Sequence, residues 1–209
     1  MVLQYTSTVV DPPAILIRGA DSHENDELIE NMLPEDVWFH VEDMSSAHVY
    51  LRLKENQTLE DIPEKLLQDA CQLVKANSIK GCKMHEVSVV YTMWSNLKKL
   101  PGMKPGEVSF HNSNVVKKMI VKKDKAVVNR LNKTEKSGVQ MDYDGDRSAR
   151  ERREADRKKA ERKIQLENKR EEEKRKLEAA ELRSYTSIMK TENMTANTDY
   201  SGYDSDDFM

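Results

Sequence analysis

Hydrophobic and polar residues alternate with period two at Val37-Trp38-Phe39-His40-Val41 and again at His48-Val49-Tyr50-Leu51-Arg52-Leu53. That period puts successive side chains on opposite faces of a strand. The six-residue spacer 42–47 suits a hairpin or a neighbouring strand. Val37, Phe39 and Val41 then share one face with Val49, Leu51 and Leu53, and the other face carries Trp38, His40, His48, Tyr50 and Arg52. Before this pair, Met1–Thr8 and Ala14–Arg18 are short β-prone runs broken by Asp11-Pro12-Pro13, and Ser22–Leu33 reads as a short acidic helix stopped by Pro34.

The pattern changes to a helical period after Asp61-Ile62-Pro63-Glu64. Asp61 is placed to cap, Pro63 to sit in the first turn and Glu64 to close a capping box. Leu66, Ala70, Leu73 and Asn77 follow one stripe, flanked by Leu67 and Val74, so the spacing predicts an amphipathic helix ending near Ser78. Further strands are expected at Val87–Met93, Val108–Phe110 and Val115–Val121. The turn-rich loop Pro101-Gly102-Met103-Lys104-Pro105-Gly106 lies among them, and a basic helix capped by Asp124 would run to about Lys136.

From Arg147 to Arg183 the apolar period disappears. These 37 residues hold 15 Lys+Arg and 10 Asp+Glu and no Gly or Pro. Opposite charges four apart recur, each pair worth about 0.2–0.5 kcal/mol to a helix. Ile164, Leu166, Leu177 and Leu182 are spaced 2, 11 and 5, which is no heptad. A solvated single helix is the reading, with self-association through 147–183 as a coiled coil as the alternative. The expected plan is a domain at 1–136, a linker at 137–145, a long charged helix at 146–190 and a disordered acidic tail at 191–209.

Composition sharpens this plan. Of 209 residues, 34% are charged and only 37% hydrophobic, so the chain cannot be one close-packed unit. The net charge of −3 hides segments of −7 (1–100), +6 (101–136), −2 (137–145), +5 (146–190) and −5 (191–209). The basic pieces are candidates for phosphate contact. No stretch is apolar enough to span a bilayer and no signal peptide is visible, so a cytoplasmic or nuclear location is expected, with peripheral membrane association left open. Two cysteines make no disulfide framework.

Catalytic chemistry finds little support. Cys71 lies beside an apolar helix stripe, and Cys82 has lysines nearby but no partner pattern. The histidines and cysteines lack metal-ligand spacing, and no phosphate-binding glycine loop occurs. No enzyme activity, metal or cofactor is expected. Trp38, His40, His48, Tyr50 and Arg52 have the chemistry on which unpaired bases stack. The alternative is that this face packs beneath the 61–78 helix as core. Lys98, Lys99, Lys117, Lys118, Lys122 and Lys123 head a basic run suited to phosphates, or to a merely solubilising surface.

These motifs also carry a resemblance. Glu35-Asp36-Val37-Trp38-Phe39-His40-Val41, then Ser45-Ser46-Ala47-His48-Val49-Tyr50-Leu51-Arg52, resembles the signature of the NFACT RNA-binding domain. Val87–Tyr91, Leu97-Lys98-Lys99 and Pro105-Gly106-Glu107-Val108 resemble its later elements, over about residues 1–125. The resemblance implies an α+β domain binding RNA or another nucleic acid, with the ribosome or ribosome-associated proteins as possible partners. The remaining readings are a protein–protein scaffold using the charged helix as a spacer, and a DNA-binding or peripherally membrane-associated adaptor.

Overall fold

A computed structural model describes residues 1–54, 57–184 and 189. The chain divides into two units, 1–147 and 148–209. The first is built on a seven-stranded sheet from β1 (Val2–Ser7), β2 (Ala14–Gly19), β3 (Asp36–Val41), β4 (Val49–Arg52), β5 (Glu86–Met93), β8 (Lys117–Lys122) and β9 (Lys136–Val139). Their order is β8-β5-β3-β4-β2-β1-β9, and every pairing is antiparallel. A separate two-stranded sheet joins β6 (Leu97–Lys98) and β7 (Ser109–Phe110). The helices are α1 (Ser22–Asn31), α2 (Glu64–Ala76), α3 (Lys125–Asn132) and α4 (Tyr143–Arg183). The class is α+β.

The two alternating runs pair as β3 and β4, with Val37 opposite Leu51 and Trp38 opposite Tyr50. Each face of the sheet buries its own core. Val37, Phe39, Val41, Val49, Leu51, Val87 and Val89 pack with Leu66, Ala70, Leu73 and Val74 of α2 and with Leu131 of α3. On the other face Ile17, Trp38, Tyr50 and Val90 pack with Leu28 and Met32, from α1 and its end, and with Leu97 and Phe110. Helix α2 therefore covers the aliphatic face. The expectation that it would cover the tryptophan–tyrosine face is corrected: α1 and the 94–116 segment do so.

Local signals place most helix ends. Asp21 caps α1 by accepting from the His23 and Glu24 amides, and Asp124 caps α3 by accepting from the Ala126 and Val127 amides. Asp61, expected to cap α2, instead closes a capping box with Thr58 around the short turn Leu59–Asp61, and Pro63 holds the N-cap position of α2. Helix α3 stops at Asn132 rather than near Lys136, because residues 136–139 turn into β9 and pair with β1. The stretch 137–145 is thus not a plain linker: it contains most of β9 and the first residues of α4. Helix α4 runs 41 residues with no buried side chain, and Ile164, Leu166, Leu177 and Leu182 are all exposed. The acidic stretch 191–209 lies outside the described residues.

Candidate nucleic-acid interface

The alternating face of β3 and β4 is not an open platform. Trp38 is 2% exposed, His48 1% and Tyr50 0%, and His40 alone of the four rings keeps partial exposure. The Trp38 and His40 rings lie parallel, 4° apart in plane with centroids 5.4 Å apart. His48 stands edge-on to both, at 5.3 and 5.1 Å. Phe110 of β7 meets Trp38 edge-on at 5.8 Å. Beside this cluster is a cavity of about 490 Å³, lined among others by Trp38, His40, His48, Val108, Phe110 and Lys118.

The wall of that cavity is held by α1. Asp26 accepts from Lys99 Nζ at 2.5 Å and from the Gly106 amide at 2.8 Å, both at Oδ1, and Lys99 Nζ also donates to the Lys104 carbonyl. Gly106 has φ +77°, a conformation that suits glycine, and Gly106, Glu107 and Val108 line the cavity. Burial alone would raise the Asp26 carboxyl, but the bonds from Lys99 and Gly106 outweigh it and hold the group below its usual range.

Burial pushes the His48 imidazole down to about 3, helped by His40 and opposed by a hydrogen bond to the Gly106 backbone. Burial also lowers His40, against a backbone hydrogen bond at Val41. Both rings are therefore neutral at neutral pH. Two buried nitrogens on this cluster, Trp38 Nε1 and His48 Nδ1, have no hydrogen-bond partner among the described residues.

Tyr50 and Arg52 do not join the cavity. Tyr50 is core, its buried hydroxyl unpartnered among the described residues, and burial raises it well above its ordinary range. Arg52 Nε donates to Asp36 Oδ1 at 3.0 Å and Nη1 to Asp146 Oδ2 at 2.7 Å. Asp36 is fully buried and also accepts from the Leu33 amide at 2.8 Å. Burial raises the Asp36 carboxyl, with Arg52 and Leu33 working against it, whereas its two carboxylates push Arg52 further up despite burial. This guanidinium ties β3, β4 and the first turn of α4 together.

The lysines also separate by role. Lys99 belongs to the Asp26 clamp. Lys117 pairs with Glu60 at 2.5 Å, Lys118 pairs with Glu42, and Lys123 Nζ donates to the Cys82 carbonyl at 2.9 Å. Lys98 and Lys122 are exposed and have no ion-pair partner among the described residues. Exposed pairs such as Lys118–Glu42 are worth little in water. Lys117, Lys118 and Lys122 all stand on β8, the edge strand beside β5.

Sequence reasoning misses Asp26, Gly106 and Phe110 as parts of this site. The Pro105-Gly106-Glu107-Val108 motif is the one available signal. Cys71 is buried, its thiol pushed up to about 12 by burial, which leaves it inert. No helix among the described residues is long and apolar enough to cross a membrane.

Residues 1–112 match the family model described as NFACT protein RNA binding domain. Coiled-coil domain-containing protein 25 of Danio rerio is 53% identical over the full length of both chains. Its Dictyostelium discoideum homologue is 51% identical, again over both full lengths. Protein JLP2 of Saccharomyces cerevisiae is 42% identical over 64% of this chain and 67% of its own. Among solved structures, the C-terminal part of the fibronectin/fibrinogen-binding protein from Streptococcus suis superposes with a TM-score of 0.51 at 24% identity, covering 63% of this chain and 47% of that one. This last likeness concerns the fold alone.

Proposed function

The chain belongs to the NFACT RNA-binding domain family, and from this membership we propose that it is a non-enzymatic nucleic-acid-binding protein whose ligand is RNA. The observation that carries the reading is the lysine-bearing edge strand β8, running beside the aromatic cavity of a domain of that family. Lys118 and Lys122 on β8, with Lys98 on β6, would take phosphates, and Lys117 and Lys123 would add to the field. Trp38, His40 and His48 would contribute through the cavity rather than as an open stacking face. Tyr50 and Arg52 are set aside as ligand contacts. Ribosome association fits this reading, since ribosomal RNA offers such a ligand.

Fluorescence anisotropy with single-stranded RNA, tRNA and DNA across a salt series tests it. Affinity for RNA should fall linearly on a log–log salt plot as counterions are released. A constant affinity from low to high salt would rule out the phosphate role. Equal or tighter binding to DNA would move the assignment to DNA.

A second reading rests on α4. Forty-one residues at 1.5 Å each, none of them buried, give a helix of roughly 60 Å. Internal pairs such as Lys158–Glu154 at 2.8 Å and Lys176–Glu172 at 2.7 Å support it without a partner. Such a rod suits a spacer in a protein scaffold. Recovery of protein partners that survives nuclease treatment would favour this reading. The helix has no broad apolar face for membrane insertion.

A further inference from the structure

We propose that the cavity beside His40 takes one unpaired nucleobase, stacked on His40 and flanked by Phe110, with the adjoining phosphate on Lys118; this rests on the RNA-binding reading. Alternation alone predicts a sheet face open to several bases. What the fold leaves is a half-open cleft of about 490 Å³, within the volume range of small-ligand pockets. Trp38 lies against His40 as a parallel ring and is itself sealed, so His40 is the ring of that stack with exposure to spare. A flat heteroaromatic ring entering here extends an existing two-ring stack.

Polar chemistry narrows the occupant. His48 lines the cavity, and its Nδ1 is buried and without a hydrogen-bond partner among the described residues. Leaving such a group unmatched is expensive in a folded interior. The edge of a nucleobase presents donors and acceptors side by side, whereas a phenyl ring presents neither. At the mouth, Lys118 is held by Glu42 with Asp43 close by, so a phosphate oxygen has to displace that exposed pair to reach it. A base in a duplex cannot enter a pocket of this size, which selects single-stranded segments whose bases are splayed out.

The cavity also needs its wall. Lys99 and Gly106 are both fastened to Asp26, so the segment that closes one side is fixed to α1. The site is preorganised, which lowers the entropy lost on binding.

The test uses the full chain with Trp94→Phe, leaving Trp38 as the single indole of the two. Nucleoside monophosphates, ribose 5-phosphate and N-acetyl-phenylalanine amide are titrated while Trp38 emission is followed. A short oligouridine and an abasic ribose-phosphate oligomer of equal length are then compared by anisotropy. Nucleotides should change Trp38 emission saturably, and ribose 5-phosphate should not. Removing the bases should weaken binding roughly tenfold to a hundredfold. His40→Ala should weaken oligouridine binding to a similar degree, leave the abasic oligomer unaffected and keep the salt slope, and His40→Phe should restore most of the affinity.

RNA bound equally well with and without bases, and a silent Trp38, would overturn the pocket and leave RNA binding standing. Nucleotides entering while no oligomer binds would keep the pocket and overturn the RNA reading. A response to the phenylalanine amide alone would assign the pocket to a protein side chain and so overturn it. Should Trp94→Phe or His40→Ala fail to fold, fluorine NMR of the wild-type chain with 5-fluorotryptophan reads the same titrations.

Discussion

Asp26 and Lys99 are 73 positions apart in sequence and 2.5 Å apart in space, and the same carboxylate oxygen holds the Gly106 amide. One side chain of α1 thus fixes the loop that walls the cavity. Asp26→Ala should cost about 1–3 kcal/mol in urea unfolding, the range for unmatched polar groups left behind. Amide exchange at Gly106 should accelerate by more than the global loss of stability explains. Unchanged protection of that amide would mean that the loop is held by other contacts.

The lysines should divide in binding experiments. Lys98→Ala and Lys122→Ala should leave stability within about 0.5 kcal/mol. Each should lower RNA affinity, and on a single strand each should reduce the salt slope by about 0.7 for every phosphate the lysine neutralises. Lys99→Ala should do the reverse, lowering stability with the slope intact. A steep fall of the slope in Lys99→Ala would return that residue to the phosphate-binding set.

Stability should depend on pH through His48. The ring is held neutral, its pKa down to about 3, while in the unfolded chain it titrates near 6.5. Between those values the unfolded state binds a proton that the folded state refuses. Folding stability therefore falls as pH drops from 6.5, by up to about 1.4 kcal/mol per pH unit for this one group. His48→Gln should flatten that part of the profile, even if it lowers stability at pH 7. Parallel profiles in chemical denaturation would show that other groups carry the dependence.

Arg52 should behave as a structural residue. Arg52→Ala leaves the buried Asp36 carboxylate without its cation and should cost about 3–5 kcal/mol. Arg52→Met combined with Asp36→Asn should recover much of that loss, because no uncompensated charge remains. In the double variant the salt slope of RNA binding should match the wild type, measured by anisotropy.

Helix α4 should not dimerise. Its exposed aliphatics form no heptad seam, so sedimentation equilibrium should give the mass of one chain at micromolar concentration. A concentration-dependent dimer that disappears on truncation after residue 147 would establish a coiled coil instead.

Much of the fold is legible because its signals are local. The period-two runs around Trp38 and Tyr50 mark two strands and sort their faces correctly. Asp124 announces α3, and the stripe Leu66, Ala70, Leu73 announces α2. Strand β9 escapes because Lys-Ser-Gly-Val has no apolar period, and it is held by backbone pairing to β1. Asp61 caps a different turn from the one its spacing predicts, because two capping positions lie within a few residues of each other.

The site is harder to read for a different reason. Alternation tells which side chains share a face, not which distant segment covers that face. It groups Trp38, His40 and His48 correctly, yet their burial depends on α1 and on residues 94–116. Tyr50 shares the same alternation and stands directly opposite Trp38 but is sealed in the core, and Arg52 lies at the other end of the strand pair, where Asp36 and Asp146 claim it. The Asp26–Gly106 bond crosses 80 positions, a separation on which local spacing carries no information.

Strand β8 ends the sheet, and Ile120 on it is 69% exposed. An open strand edge with an aliphatic side chain invites another copy to add itself, hydrogen bond by hydrogen bond. Lys117, Lys118 and Lys122 set like charges against any such approach. Chemical neutralisation of these amines, by acetylation for instance, would remove that repulsion. A chain so modified should lose solubility, so the same amines guard the molecule against its own kind.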